Sequence, residues 1–169
     1  MKRRNFLKTA GIGLAATAVA APAIAQSSPQ LKWRLAASWP KSLDTLFGAC
    51  DTFAKYVSEA TDGKFQIQTF AAGEIVPGLQ VLDATSNGTI EMCHTATYYY
   101  FGKDPTWALF CAVPFGQNQR QQNAWFYQGD GQKLLDEFGA KSNVKCLLMG
   151  NTGCQMGGWF RKEIKTVDD

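Results

Sequence analysis

The chain has 169 residues, 46% of them hydrophobic, with 21 aromatics and only 18% charged residues. That fits about one domain and excludes a disordered chain. Seventeen Lys and Arg face 14 Asp and Glu, a net of +3, which is too small, and beyond the first eight residues too dispersed, for a nucleic-acid binder.

The charge is unevenly placed. Lys2, Arg3, Arg4 and Lys8 lie in the first eight residues, and residues 1–25 hold no acid; without those four, 13 bases face 14 acids, a net of −1. A basic start is followed by an apolar stretch from Ala10 to Ala20 and then by Ala21-Pro22-Ala23-Ile24-Ala25. Ala23-Ile24-Ala25 is the small-x-small pattern of a signal-peptidase site, so residues 1–25 are predicted to be a signal peptide, cut between Ala25 and Gln26. The apolar stretch is well short of the ~20 residues that span a bilayer. It also lacks the polar face of an interfacial helix. Arg3-Arg4-Asn5-Phe6-Leu7-Lys8 resembles the twin-arginine export signal R-R-x-F-L-K, which implies export of a folded protein to a bacterial periplasm.

In the remainder, Lys32–Ala37 reads as a strand with Trp33 and Leu35 on one face, and Ser38-Trp39-Pro40-Lys41-Ser42 as a loop. Leu43, Leu46, Phe47, Cys50, Phe53, Ala54, Val57 and Ala60 recur at spacings of three and four, the stripe of an amphipathic helix. Asp51, Lys55 and Glu59 fall at i,i+4 on its outer face, and Asp62-Gly63 marks its end. Lys64–Phe70 alternates as a strand. Ala71–Gly78 is a loop, Leu79–Thr85 a short helix, and Thr89–Thr95 a third strand. The order β-α-β-α-β predicts a parallel sheet with covering helices. Ala96–Gly116 holds seven aromatics broken up by Gly and Pro. Gln119–Tyr127 and Gly131–Phe138 read as helices, Val144–Met149 as a strand, Gly150–Gly153 as a loop and Cys154–Arg161 as a further strand.

The residues carry little sign of catalysis. Cys93 and His94 are adjacent, but neighbours on a strand point to opposite faces, so they should diverge and His94 should be a satisfied strand-end residue. One His and no spaced cluster of ligands speak against metal catalysis. None of Cys50, Cys93, Cys111, Cys146 and Cys154 forms C-x-x-C, and their apolar neighbours favour buried free thiols over disulfides. Gly150–Gly153 is neither a phosphate loop nor a dinucleotide fingerprint. Ligands of parallel α/β sheets sit in loops beyond the carboxyl ends of strands. Three loops qualify here: Ser38–Ser42, Thr95–Tyr100 and Gly150–Gln155. Of the consecutive Tyr98, Tyr99 and Tyr100, at least one should face a cleft or solvent.

Five stretches match a known family: Trp33–Asp44 (WRLAASWPKSLD), Ala71–Gly78 (AAGEIVPG), Cys93–Tyr100 (CHTATYYY), Gly102–Ala108 (GKDPTWA) and Gly150–Arg161 (GNTGCQMGGWFR). In them the mature chain resembles the DctP-type periplasmic solute-binding proteins of tripartite ATP-independent (TRAP) transporters, and most of all the branch that binds α-keto acids such as pyruvate and 2-oxobutyrate. The resemblance implies an α/β fold of the two-lobed, Venus-flytrap kind that closes on its ligand. Residues 26–169 would be the N-terminal lobe, a mostly parallel sheet with helices on both faces. It implies a binding role without catalysis. In that branch the Gln of the last motif, Gln155 here, contacts both substrate and a bound sodium ion; an amide oxygen suits a hard cation and an amide nitrogen a carboxylate. Tyr100, Tyr99 and Asn151 are the further candidate substrate contacts. No covalent cofactor is implied. The partners implied are a small carboxylate and the TRAP membrane permease, with a homodimer formed through a C-terminal region.

Members of the family are longer than this chain. Their substrate-pairing arginine and the remaining sodium ligands are expected after the W-F-R segment, so the chain is expected to be an N-terminal fragment that lacks the second lobe. Arg161 belongs to the motif and does not take the arginine's place. The alternatives are another carboxylate, either lactate with calcium or a C4 dicarboxylate. From a different class come an exported enzyme using Cys93 or His94, and a sensor domain.

Overall fold

The computed structural model describes residues 30–153 and 157–169. Arg3, Arg4, Ala25 and Gln26 of the predicted signal segment, and Cys154, Gln155 and Met156, lie outside the described residues. The centre of the fold is β1 (Leu31–Ala37), flanked by β2 (Phe65–Phe70) and β3 (Met92–His94), all parallel, in the order β2-β1-β3. Parallel neighbours need crossovers. Here α1 (Asp44–Ala60) carries the chain from β1 to β2 and α2 (Val81–Ser86) from β2 to β3.

Alternation along β1 puts one helix on each face. Leu35 and Ala37 pack against Phe47 and Cys50 of α1, while Ala36 points the other way, to Val81 and Ala84 of α2 and to Ile90. Leu35 is fully buried; a side chain of that size contributes about 1.5–3 kcal/mol when taken from water. The α1 stripe forms from Leu46 to Val57, whereas Leu43, which precedes the helix, and Ala60 at its end are exposed. Its end is fixed by Thr61, whose Oγ1 donates to the Val57 carbonyl at 2.7 Å, and by the left-handed residues Asp62 (φ 51°) and Gly63 (φ 74°). On the outer face Lys55 and Glu59 stand 3.8 Å apart, whereas Asp51 takes a hydrogen bond from Thr69 Oγ1 of β2 at 2.7 Å.

β3 is shorter than the predicted Thr89–Thr95. Glu91 Oε2 accepts the Arg34 backbone N–H at 2.8 Å, and Arg34 Nη2 donates to the Thr89 carbonyl at 2.7 Å. These side-chain bonds stand where ladder bonds would run, so pairing with β1 begins only at Leu35↔Met92. Glu91 also pairs with the Arg34 guanidinium at 2.7 Å.

Past β3 the chain makes two 3₁₀ turns, Thr97–Tyr100 and Pro105–Phe110, and then α3 (Gln119–Gln128) and α4 (Gly131–Ala140). α3 starts with a capping box in which Asn118 and Gln121 each accept the other's backbone N–H. Tyr100, Trp107, Phe110, Phe126 and Leu135 form a second core with Leu82, and Tyr99 packs against both this core and the one around β1.

Two expected strands do not form among the described residues. In Val144–Met149 burial alternates, and Val144, Cys146 and Leu148 pack against the second core, but the run joins no ladder. Its Cys146 carbonyl is taken by Gln132 Nε2 of α4 at 2.8 Å. Gly157–Arg161, the described part of Cys154–Arg161, is also no strand, and Trp159 is 89% exposed. A strand needs a neighbour to take its N–H and C=O groups, and neither stretch has one here. No described helix is long and apolar enough to cross a membrane.

Candidate functional site

β1 and β3 end side by side at Ala37 and His94, so the loops that follow leave from one edge of the sheet. Ser38 N donates to the His94 carbonyl at 2.9 Å, extending the pairing by one residue. The Ala71–Gly78 loop closes over this edge, with Ala72 N donating to the Trp39 carbonyl at 3.0 Å. Glu74 latches it: Oε1 accepts from Lys41 Nζ and Oε2 from the Ala71 N–H, both at 2.7 Å. Lys41, then the Ala71 N–H, holds the Glu74 carboxyl below the usual range. At Gly78 the backbone runs so close to Ser38 that a Cβ would lie 2.6 Å from the Ser38 carbonyl oxygen, so only glycine fits.

Three hydroxyls continue the edge inward. Ser38 Oγ lies 2.7 Å from the Gly78 carbonyl oxygen and 2.6 Å from Thr95 Oγ1, which lies 2.9 Å from the Tyr100 hydroxyl. A carbonyl only accepts and each hydroxyl has one proton. The Ser38 hydroxyl donates toward the Gly78 carbonyl and Thr95 Oγ1, and Thr95 and Tyr100 share the remaining bond, so all three hydroxyls are partnered inside the protein. Tyr100 is only 2% exposed. Burial, above all, raises its phenol, so it stays protonated. It stands behind the surface as a brace.

Its neighbours are placed differently. Tyr98 and Tyr99 are half-buried and meet edge to face at 4.8 Å. Trp39, 8% exposed and packed edge to face on His94 at 4.7 Å, donates its indole N–H to the Tyr99 hydroxyl at 3.0 Å. Burial first, then Tyr99, pushes the Tyr98 phenol up to about 12. Tyr98 is therefore a neutral donor across the physiological range.

Cys93 and His94 diverge as the strand requires. Cys93 packs on the α2 side; His94 turns to α1, where its Nδ1 is 3.2 Å from Cys50 Sγ. The partnership joins residues 44 apart in sequence, and its one sequence signal is the place of Cys50 on the α1 stripe. Burial pushes the Cys50 thiol up to about 12 and His94 down to about 4. Thiol and imidazole both stay neutral, the reverse of the thiolate–imidazolium pair a nucleophile needs. Cys50, Cys93, Cys111 and Cys146 are all free thiols.

The third loop stands apart. Asn151 is exposed, and its Oδ1 accepts the Gly153 N–H at 2.7 Å, a bond within its own turn. Gln155, the residue assigned to substrate and sodium, lies outside the described residues. Among the described residues no group of three His, Cys, Asp or Glu could hold a metal ion. The structure thus brings Ser38, Trp39, Thr95, Tyr99 and Tyr100 together at one sheet edge. Gly78 and Glu74, which hold that edge closed, were visible in the sequence only as members of a loop motif.

Comparison with known proteins gives the family. The family described as bacterial extracellular solute-binding protein, family 7, matches residues 35–169. A monocarboxylate 2-oxoacid-binding periplasmic protein of Nostoc sp. strain PCC 7120 is 51% identical over 175 aligned positions, covering 100% of this chain and 48% of that protein. Among solved structures, a TRAP transporter solute-binding protein of Bordetella bronchiseptica RB50, a mixed-occupancy dimer with calcium and picolinate in one site, has a TM-score of 0.78 and 46% identity. The match covers 80% of this chain and 40% of that one. A TRAP periplasmic solute-binding protein of Pseudoalteromonas atlantica T6c, with bound sodium and pyruvate, has a TM-score of 0.79 and 40% identity over 82% of this chain and 42% of its own. The chain spans about half the length of the relatives it matches. The likeness bears out the expected architecture, a parallel α/β lobe with helices on both faces of the sheet.

Proposed function

The chain belongs to bacterial extracellular solute-binding protein family 7, and from that premise we propose that residues 26–169 are the N-terminal lobe of the periplasmic binding component of a TRAP transporter. The protein captures a small 2-oxo monocarboxylate, such as pyruvate, and delivers it to the membrane permease. The observation that carries this reading is the 51% identity, over the whole chain, to a 2-oxoacid-binding relative. Residues 1–25 are the export signal, read by the twin-arginine route through Arg3 and Arg4 and cut between Ala25 and Gln26. The second lobe follows the residues of this chain, and subunit pairing uses that part of the protein.

In this reading the ligand lies against the sheet edge at Ser38 and Thr95 and is enclosed when the two lobes close, which excludes water and strengthens each placed donor. Tyr99 offers a phenol O–H to the carboxylate or the keto oxygen. Gln155 supplies an amide nitrogen to the ligand and its amide oxygen to a sodium ion, a hard cation that takes oxygen ligands. Asn151 has its amide N–H₂ left for the ligand once its Oδ1 closes the turn. Tyr100 acts from behind through Thr95 and Ser38. Residues 26–169 carry a net charge of −1, so this lobe offers an anion no long-range attraction and its contribution rests on these few donors. An exported enzyme built on Cys93 or His94 has little support, because His94 is half-buried, neutral and in contact with Cys50 Sγ through Nδ1.

Calorimetric titration of the intact protein tests the assignment, using pyruvate, 2-oxobutyrate, lactate and succinate in sodium, calcium and choline buffers. The expected result is tight binding of the two 2-oxo acids that requires the cation, and weakening of both ligand and cation by Gln155→Ala. Preference for succinate, or for lactate with calcium, overturns the choice of ligand.

A further inference from the structure

The indole nitrogen of Trp39 can only donate, and its partner is the Tyr99 hydroxyl at 3.0 Å. The indole itself has little freedom. It is 8% exposed, belongs to the core of Leu35, Phe47 and Cys50, and stands edge to face on His94. Its N–H therefore occupies one acceptor site of the Tyr99 oxygen at all times. The Tyr98 ring stands edge to face on that of Tyr99 at 4.8 Å. With the indole N–H filling an acceptor site from the core side, the Tyr99 phenol proton has no place toward Trp39 and must turn away from it. The contrast with Tyr100 is one of partners: the Tyr100 hydroxyl is bonded to Thr95 within a buried hydroxyl cluster, whereas Tyr99 receives a bond from a pure donor and keeps its own proton.

We infer that Trp39 is a positioning residue for ligand binding: its indole N–H fills an acceptor site on Tyr99 and turns the Tyr99 phenol proton outward, to donate to an anionic oxygen of the ligand. The inference rests on the reading that Tyr99 meets the bound carboxylate. Trp39 touches no ligand atom itself. A ring without the N–H would let the Tyr99 proton turn inward and would lower affinity without disturbing the core.

A double-mutant cycle on the intact protein tests it, with pyruvate as the probe in saturating sodium. Tyr99→Phe is expected to weaken pyruvate binding by about tenfold or more, the effect of a hydrogen bond to a charged group. Trp39→Phe is expected to weaken it by a smaller factor, and in the Tyr99→Phe background to cost nothing further. A Trp39 loss that persists undiminished without the Tyr99 hydroxyl shows a packing role and overturns the inference. Unchanged affinity in Tyr99→Phe overturns the Tyr99 contact itself, and the inference with it. If Trp39→Phe does not fold, incorporating 3-benzothienylalanine at position 39 keeps the bicyclic ring and removes only the N–H. The same two comparisons then decide.

Discussion

The sheet edge at Ser38 and Thr95 and the stretch from Val144 to Asp169 are built on opposite terms. At the edge, ladder bonds, the Glu74 latch and two hydroxyl chains leave almost no group uncommitted, and the backbones approach as closely as the missing Cβ of Gly78 allows. In Val144–Met149 alternate side chains pack against the second core but, among the described residues, the backbone has no strand to pair with, and farther on Trp159 and Phe160 stand in solvent. The contrast separates two things often taken together. Side-chain alternation needs only one apolar surface to lie on, whereas a strand needs a second backbone. One region is preorganised, and its geometry follows from residues within this chain. The other has the pattern of a strand and waits on a partner.

Mutations should divide along that line. The largest effect is expected from Leu35→Ala in the fully buried centre of β1: a loss of about 2–5 kcal/mol from lost burial and the cavity left behind, read as a lower urea midpoint. Gly78→Ala should come next, at about 1–3 kcal/mol, because the added methyl meets the Ser38 backbone and not a flexible side chain. It should also weaken ligand binding by prising the two loops apart, which titration of the folded variant would show. Acid should act at the other end of the β1–β3 pairing, where Arg34 meets Glu91. Hydrogen bonds from the Arg34 side chain and then its backbone N–H lower the Glu91 carboxyl from 4.5 to about 2. A lowered folded pKa means stability that is present above pH 4.5 and lost as pH falls toward 2. Glu91→Gln should therefore flatten stability across that window, as measured by urea unfolding at stepped pH. Trp159→Ala should have the smallest effect, moving this chain's midpoint by less than ~0.5 kcal/mol. A larger loss would mean the tail is held more firmly than its exposure implies, and would blur the contrast.

The same contrast explains what could be read from the sequence. The stripe of α1, the alternation of β2 and the order β-α-β-α-β follow from local periods that the sheet then satisfies, so they could be read directly. The divergence of Cys93 and His94 follows from strand geometry alone. The shortening of β3 could not be read, because it depends on the Glu91 side chain taking the Arg34 N–H. Nor could the absence of a ladder at Val144–Met149, since its alternation is real and only the neighbour is wanting. At the candidate site the tyrosine run was visible, but not the division of labour within it. Which phenol is bonded inward and which keeps its proton depends on Thr95 at the start of the same loop and on Ser38 and Trp39, brought in from another.

The pairing of Cys50 with His94 has a practical side. All four described thiols are pushed up by burial, Cys50 to about 12 and Cys146 to about 11. At neutral pH each carries almost no thiolate, the form that reacts with alkylating dyes. With Cys154 replaced by Ser, a cysteine introduced at an exposed position such as Tyr127 would outcompete those four for a fluorophore, so that its label could report, in real time, when the lobe meets its ligand.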